Sequence, residues 1–213
     1  MSAAITWLGD CAVVVEVADG DEREHLARML EEAFPDLRVR CGMREVLVEA
    51  PRPLPDLRAR VAGAVAEPAG STRRPGRDPA TVRIEVDYCG TDLADVAAVL
   101  AVSVDDVVHA HEQQHWRVAM IGFAPGFGYL EPIGEPTLPW SALARRDSPR
   151  PAVSGGSVAL AAGMSAVYPQ TMPGGWHLIG RTDQVMFDVA AAEAPALLAA
   201  GDRVRFVRRG TGR

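Results

Sequence analysis

Two loops rich in glycine, proline and aromatic residues constrain this sequence more than any other feature. They occupy residues 120–130 and 168–182 and contain the runs Gly-Phe-Ala-Pro-Gly-Phe-Gly-Tyr-Leu and Pro-Gly-Gly-Trp-His. Glycine adopts backbone conformations that are closed to other residues, and proline fixes the backbone. Aromatic side chains on such loops tend to line a groove at the surface. We therefore expect a binding groove built from these two loops.

The second half of the chain has the pattern of a β-barrel or sandwich. After Trp116, short β-type runs alternate with loops rich in glycine and proline. Two short helices are predicted from Asp92 onward, the second beginning with a capping box formed by Ser103 and Asp106. The predicted strands are residues 118–121, 158–161, 166–168, 185–189 and 204–207.

The first part of the chain predicts a small α+β domain of ferredoxin-like type. Its elements follow the order strands, helix, strands, helix and a last strand. They are predicted at residues 5–8 and 11–17, 21–33, 37–48, 54–65 and 81–86. Residues 67–79 contain three prolines and hardly any apolar residue, which favours a linker. The predicted domains are therefore residues 1–78 and 79–213. The second is expected to begin with the strand at residues 81–86 and two short helices, although the order of elements also allows this strand to complete the first layer.

Charge and basic-residue usage exclude several function classes. A net charge of −6 argues against general affinity for nucleic acid or for an anionic membrane. All 22 basic residues are arginine, because the chain contains no lysine. This excludes Schiff-base chemistry, a Walker-type phosphate lysine and a biotinyl-lysine on this chain. We expect any nucleotide or biotin to be bound or completed by another polypeptide.

The cysteines and the apolar segments indicate a cytoplasmic, soluble protein. Cys11, Cys41 and Cys89 are far apart and form no Cys-x-x-Cys pair, which is typical of reduced structural thiols. The N-terminus lacks the basic and apolar regions of a signal peptide. No apolar stretch approaches the roughly 20 residues that a membrane-spanning helix needs.

The run His-Glu-Gln-Gln-His at residues 111–115 matches the zincin pattern literally. Two histidines four residues apart on one helix could bind zinc, with Glu112 as the general base. The helix is predicted to end at once before Arg117, whereas a zincin helix continues. We therefore expect no metal site here, and we interpret His111 as a structural hydrogen-bonding residue rather than an acid or base in the groove.

The turn at residues 173–177 is the strongest local signal. One interpretation is a tight turn in which Trp176 anchors the barrel. The other is that Gly174 and Gly175 present backbone N–H groups to an anion or carbonyl, with Trp176 as the wall of the site. Arg181 could hold a carboxylate or phosphate in bidentate fashion, or pair with an internal aspartate.

A basic loop and a serine-glycine run leave further alternatives. Arg145, Arg146 and Arg150 favour a solvated turn and, less strongly, a docking surface for an acidic partner or a phosphate. Ser154 lies in a Ser-Gly-Gly-Ser run without the Gly-x-Ser-x-Gly elbow of serine hydrolases. A serine nucleophile is therefore not expected.

Several of these runs, in this order, resemble the KipI/PxpB family, whose members are also named allophanate hydrolase subunit 1 or the B component of 5-oxoprolinase. The resemblance is strong from residue 82 to residue 206 and weak before it. The sequence differs from the family pattern at residues 153–157 and 164–169, which lie in loops expected to face the groove. The matching runs are residues 122–130, 156–158, 168–169, 173–176, 179–182 and 201–206.

The resemblance implies a cyclophilin-like β-barrel for the second domain and a partner of the KipA/PxpC type (allophanate hydrolase subunit 2). It implies a subunit of an ATP-dependent 5-oxoprolinase that is not active alone, with ATP bound at the level of the complex and a LamB/PxpA-type protein as a possible third subunit. Two alternatives are a KipI-like inhibitor of a sensor histidine kinase and a carboxyltransferase subunit of urea-degrading systems, which would need a separate biotinylated chain. The expected groove residues are Phe123, Pro125, Tyr129, Tyr168, Gly174, Gly175, Trp176, His177 and Arg181.

Overall fold

The computed structural model describes residues 4–17, 20–66, 80–191 and 194–210. The chain divides into two compact units, Met1–Asp78 and Pro79–Arg213. The predicted linker at residues 67–79 lies outside the described residues. Among the described residues, no helix is both long enough and apolar enough to cross a bilayer.

The first unit is a four-stranded antiparallel sheet with two helices. Its core forms because valines alternate with polar residues along β2 and β4, so that Val13, Val15, Val46 and Val48 share one buried face. Leu30 of the first helix packs against the same core. The strand order is β1-β2-β4-β3. The elements are β1 (Ile5–Leu8), β2 (Ala12–Glu16), α1 (Gly20–Ala33), β3 (Arg38–Cys41), β4 (Glu45–Glu49) and α2 (Leu57–Ala66).

The second unit contains most of the strands. It contains a 3₁₀ turn at Trp140–Ala142. Its helices are α3 (Leu93–Leu100) and α4 (Val104–Gln113), and its strands are β5 (Thr81–Val86), β6 (Trp116–Ile121), β7 (Gly128–Pro132), β8 (Arg150–Val153), β9 (Ser157–Ala161), β10 (Met164–Val167), β11 (Met172–Gly174), β12 (His177–Arg181) and β13 (Arg203–Arg208).

Seven of these strands form one nearly closed barrel sheet, in the order β12-β9-β10-β7-β6-β13-β5. The order of elements also allowed β5 in the first layer, but β5 pairs in parallel with β13 in the larger sheet. The two edge strands approach each other at Asp87 and Arg181, whose backbones exchange two hydrogen bonds of 2.8 Å. A Cβ at Gly180 would lie 2.6 Å from Cγ1 of Val86, so only glycine allows this close approach.

The two faces of the barrel sheet have separate apolar clusters. Along β9, Val158 and Leu160 belong to the inner core, whereas Ala159 and Ala161 belong to a cluster on the outer face. The alternation follows from the two-residue period of a strand. The two-stranded sheet β8–β11 is separate from the barrel sheet, and its residues Val153 and Met172 contribute to the outer cluster.

Local sequence signals predicted some elements correctly and one incorrectly. The capping box of α4 is confirmed, because the Ser103 hydroxyl accepts from the Asp106 N–H while Asp106 accepts from the Ser103 N–H. The predicted strand at residues 185–189 is wrong: in that range the structure has a single isolated bridge, between Phe187 and Ala196. Val185 and Val189 are exposed and have no neighbouring strand among the described residues. A high β-propensity alone does not form a strand, because a strand needs a neighbour to pair with.

Candidate functional site

Five aromatic residues form a connected cluster on the outer face of the barrel. This aromatic cluster consists of Phe123, Phe127, Tyr129, Tyr168 and Trp176. The Phe127 ring is its centre, with centroids of the other four rings 5.0 to 5.9 Å away in edge-to-face geometry. Such pairs are favourable because the positive ring edge meets the negative ring face. Phe127 was not among the predicted site residues, although it lies in the motif that indicated the groove.

The loop between β6 and β7 presents one of these rings to solvent. Phe123 is 64% exposed and has a φ of 70°, a left-handed conformation that is unfavourable for a bulky residue. Gly126 has a φ of 79°, and a Cβ there would lie 2.7 Å from Phe187. The predicted groove residue Pro125 is exposed on the same loop. The loop is therefore held in a strained conformation that leaves an aromatic ring uncovered.

The turn after β11 approaches the cluster from the other side. A Cβ on Gly174 would overlap the hydroxyl of Tyr168, so glycine is required by the close approach. The backbone N–H of Trp176 donates a hydrogen bond to that hydroxyl oxygen. Burial raises the pKa of Tyr168, although the Trp176 N–H and the charges of Arg145 and Arg150 act in the opposite direction. Tyr168 is therefore a neutral phenol at the point where the aromatic cluster meets the turn.

The basic loop that precedes β8 is built around a buried aspartate. Asp92 Oδ1 accepts from Arg150 Nη2 at 2.6 Å and from Arg146 Nη1 at 3.2 Å, and Asp92 Oδ2 accepts from the Leu178 N–H at 2.7 Å. Burial alone would raise the pKa of Asp92, but the hydrogen bonds from Arg150 and Leu178 and the two positive charges lower it below its usual value. Sequence reasoning missed Asp92, because it is 54 residues or more from either arginine in the chain.

The structure brings most of the predicted groove residues together but separates Arg181 from them. His177 lies beside the turn, and its Nε2 is 3.0 Å from the carbonyl oxygen of Ala144. Arg181 lies at the other end of β12, roughly 16 Å from Trp176 at the usual rise per residue of a strand. The backbone of Arg181 closes the barrel and its side chain is exposed. The run at residues 179–182 is therefore explained by closure of the sheet.

The histidine pair has no geometry for zinc. Helix α4 ends at Gln113, and His115 is exposed with its Nε2 2.9 Å from Arg205 Nη1. His111 is completely buried, with Nδ1 2.9 Å from the Tyr88 hydroxyl and Nε2 3.0 Å from the Ser165 hydroxyl. Burial lowers the pKa of His111 to about 3, so it is neutral at physiological pH. Within the described residues, no group of acidic, histidine and cysteine side chains could hold a metal ion.

A second concavity lies near the ends of β5 and β13. It has a volume of about 520 Å³ and is lined by charged and apolar residues. Tyr88 forms part of its wall and connects it to His111 through the hydrogen bond described above. Two of the four ionic residues on its wall, Asp87 and Arg209, pair with each other at 3.0 Å. Its lining residues are Asp87, Tyr88, Cys89, Leu93, Val104, Asp105, Val108, Arg208 and Arg209.

The fold is a mixed α/β fold with a nearly closed barrel sheet and an aromatic cluster at its surface. The sequence matches the family described as "Carboxyltransferase domain, subdomain C and D" over residues 3–198. The chain belongs to this family. The resemblance to the KipI/PxpB group within it is confirmed by the curated relatives described next.

Two curated relatives are named as the B component of 5-oxoprolinase. The one from Bacillus subtilis is 39% identical over 130 residues, which cover 59% of this chain and 52% of the relative. The one from Escherichia coli O157:H7 is 43% identical over 123 residues, which cover 58% and 54% of the two chains. The chain thus spans about half the length of the curated relatives it matches.

Solved structures agree on the fold. The crystal structure of TTHA0988 has a TM-score of 0.73 at 31% identity, covering 93% of this chain and 40% of that one. The Kluyveromyces lactis urea carboxylase has a TM-score of 0.66 at 15% identity, covering 97% of this chain and 22% of that one. At this low identity the second similarity concerns the fold alone.

Proposed function

We propose that this protein is a subunit of an ATP-dependent 5-oxoprolinase, which opens 5-oxoproline to glutamate. The observation that supports this proposal most directly is the 39–43% identity to relatives named as a component of 5-oxoprolinase. The runs that resemble the family contain the aromatic cluster and the adjacent turn. The cluster and the turn are therefore the proposed contribution of this chain to the active site.

In this reaction ATP activates the lactam carbonyl. The terminal phosphoryl group is transferred to the carbonyl oxygen and ADP leaves. Water attacks the carbonyl carbon, and the ring C–N bond breaks as the nitrogen takes up a proton, which leaves an acyl phosphate. A second water hydrolyses this acyl phosphate to the carboxylate and inorganic phosphate. The aromatic cluster is suited to a small flat ring, because its exposed Phe123 and its half-buried Tyr129 offer apolar surface. The N–H groups of a glycine turn are suited to a carbonyl that gains negative charge.

The chain is proposed to act as part of a complex. We propose a partner of the KipA/PxpC type, with ATP bound at the level of the complex, and a cytoplasmic location. The exposed Phe123 is a suitable contact for a closing partner, since aromatic residues are enriched where interfaces exclude water. On this proposal the subunit alone is inactive and supplies one wall of a shared cleft.

We also propose a specific fold type for each of the two units. The seven-stranded, nearly closed sheet supports a cyclophilin-like barrel for residues 79–213. In the first unit, β1 lies at the edge beside β2, where the last strand of a ferredoxin-like fold lies. We propose that residues 1–78 are a ferredoxin-like variant in which the N-terminal strand takes this position.

A second candidate function is a carboxyltransferase subunit. It is favoured by the family description itself, which names a carboxyltransferase domain. That reaction would need biotin on another chain, because this one contains no lysine to attach it.

The experiment is affinity purification of this protein from its own cells, followed by mass spectrometry of the co-purifying chains. The recovered complex is then assayed for ATP hydrolysis with and without 5-oxoproline. We expect a KipA/PxpC-like chain and ATP hydrolysis that depends on 5-oxoproline. A biotinylated chain with bicarbonate-dependent ATP hydrolysis would support the carboxyltransferase instead, and a histidine kinase without a KipA/PxpC-like chain would overturn both enzyme functions.

A further inference from the structure

The basic loop and the glycine turn form one structural unit next to the aromatic cluster. The Arg146 N–H donates to the Gly175 carbonyl at 2.8 Å, and Arg150 lies opposite Gly174 in the β8–β11 pair. Gly174 in turn contacts the Tyr168 hydroxyl. Arg150 is therefore separated from the rings of the cluster by no more than the width of this turn.

Asp92 fixes the two guanidinium groups of this unit. Asp92 is 4% exposed in its side chain and accepts hydrogen bonds from both Arg146 and Arg150. The two arginine side chains are 32% and 25% exposed, so solvent still reaches them. An arginine fixed by a buried carboxylate is pre-organised, and it loses less freedom when it binds a ligand.

The charges and hydrogen-bond donors of this unit do not balance. One carboxylate, Asp92, faces two guanidinium groups, which leaves an excess positive charge. Arg150 Nη1 and Arg146 Nε are buried donors that have no hydrogen-bond partner among the described residues. A buried donor without a partner is costly, and more so when it belongs to a charged group. An oxyanion bound at the exposed part of the two guanidinium groups would balance this charge and accept hydrogen bonds from them.

We propose that Arg146 and Arg150, positioned by Asp92, form an oxyanion-binding subsite at the end of the aromatic cluster. Resting on the proposed function, the subsite takes the carboxylate of 5-oxoproline while the ring lies against the aromatic cluster. The phosphoryl group of a nucleotide has the same chemistry, and the experiment distinguishes these two sources.

The test is calorimetric titration of the full chain with three probes: 5-oxoproline, its carboxamide and inorganic phosphate. The carboxamide keeps the ring and removes the charge. We expect the wild-type protein to bind 5-oxoproline roughly 10- to 100-fold more tightly than the carboxamide, the effect of charge-assisted hydrogen bonds. Arg150→Gln should abolish this preference and leave binding of the carboxamide unchanged. Arg203→Gln, at an exposed arginine outside the site, is the matched control and should keep the preference.

Retained binding of the carboxamide shows that Arg150→Gln is folded. If that variant does not fold, Arg146→Gln provides the same comparison. Phosphate binding that is lost in the variant, without any preference for 5-oxoproline, would assign the subsite to a phosphoryl group. Equal binding of both anions by wild type and variant would overturn the subsite. ATP hydrolysis is not part of this test, so failure of the 5-oxoprolinase proposal with retained phosphate binding leaves the subsite intact.

Discussion

The inner and outer faces of the barrel sheet differ in the hydrogen-bond partners of two polar residues, His111 inside and Arg150 outside. On the inner face, the buried His111 has a hydrogen-bond partner on each ring nitrogen, and the Phe206 ring stacks on it with centroids 4.4 Å apart. On the outer face, Phe123 is left exposed and Arg150 keeps a buried donor without a described partner. The inner Trp140 also has an indole N–H without a described partner, so the contrast depends on the exposed and strained Phe123 together with the charged Arg150. Strained groups of this kind are typical of sites that bind something. We therefore propose that the outer face is the working face, that is, the face that binds substrate.

The largest expected loss of stability comes from a substitution in the inner core. Trp116 is fully buried between His111, Trp140 and Phe206. Trp116→Ala removes a large ring from a packed interior and should lower the free energy of unfolding by about 3–5 kcal/mol. Denaturant unfolding measures this value. A loss below about 1 kcal/mol would show that the inner face is not the stabilising one.

The next prediction concerns the pH dependence of stability. His111 stays neutral in the folded state down to a pKa of about 3, whereas in the unfolded chain it titrates near 6.5. Below pH 6.5 the unfolded state therefore binds the extra proton, and stability falls as the pH is lowered toward 3. This group should contribute a slope of about 1.4 kcal/mol per pH unit in that window.

The contribution of His111 to this slope is measured by comparing the wild-type protein with His111→Phe between about pH 5 and pH 6.5, where the histidine of the unfolded chain becomes protonated. The variant should be less stable at every pH, since Tyr88 and Ser165 lose their partner. Its stability should nevertheless vary less with pH than that of the wild type. Parallel curves would mean that His111 is protonated in the folded state.

Substitutions at Gly174 and Gly175 test whether the turn after β11 packs against Tyr168 on the outer face. Gly174→Ala places a methyl group against the buried Tyr168 hydroxyl and should lower the free energy of unfolding by about 1–3 kcal/mol. Gly175→Ala is the matched control, because its Cβ would have its nearest contact at 3.6 Å, with Pro149. Its stability should stay within about 1 kcal/mol of the wild type. Equal thermal stability of the two variants would show that the turn is not held against Tyr168.

The smallest stability effect is expected at Phe123. Phe123→Gly removes an exposed ring and relieves the left-handed backbone at φ 70°. The loss of the edge-to-face contact with Phe127 and the relief of strain oppose each other, so the free energy of unfolding should change by less than about 1 kcal/mol. Thermal unfolding measures it, with Val99→Ala as the control at another exposed apolar residue. A loss of several kcal/mol would make Phe123 a structural residue.

Local signals in the sequence predicted the elements whose determinants are close together in the chain. The capping box of α4 and the valine alternation of the first unit are examples, since each depends on residues only a few positions apart. The groove was predicted from its glycines and aromatics, and most of its residues meet in the structure. Arg181 lies apart from the other predicted groove residues, and its backbone contact with Asp87 across the barrel closure is not visible in the local sequence. The role of Asp92 and the pairing of β5 with β13 were missed for the same reason, since both depend on partners far along the chain.

The most direct test of the working face is the rate of 5-oxoproline-dependent ATP hydrolysis by the complex recovered with this protein. Wild type, Phe123→Ala and Val99→Ala are compared at equal concentrations of folded protein. We expect Phe123→Ala to lower kcat/KM for 5-oxoproline by roughly tenfold or more, the effect of losing an important contact of a binding site, while Val99→Ala should match the wild type. Equal activity in all three proteins would contradict the assignment of the outer face as the working face.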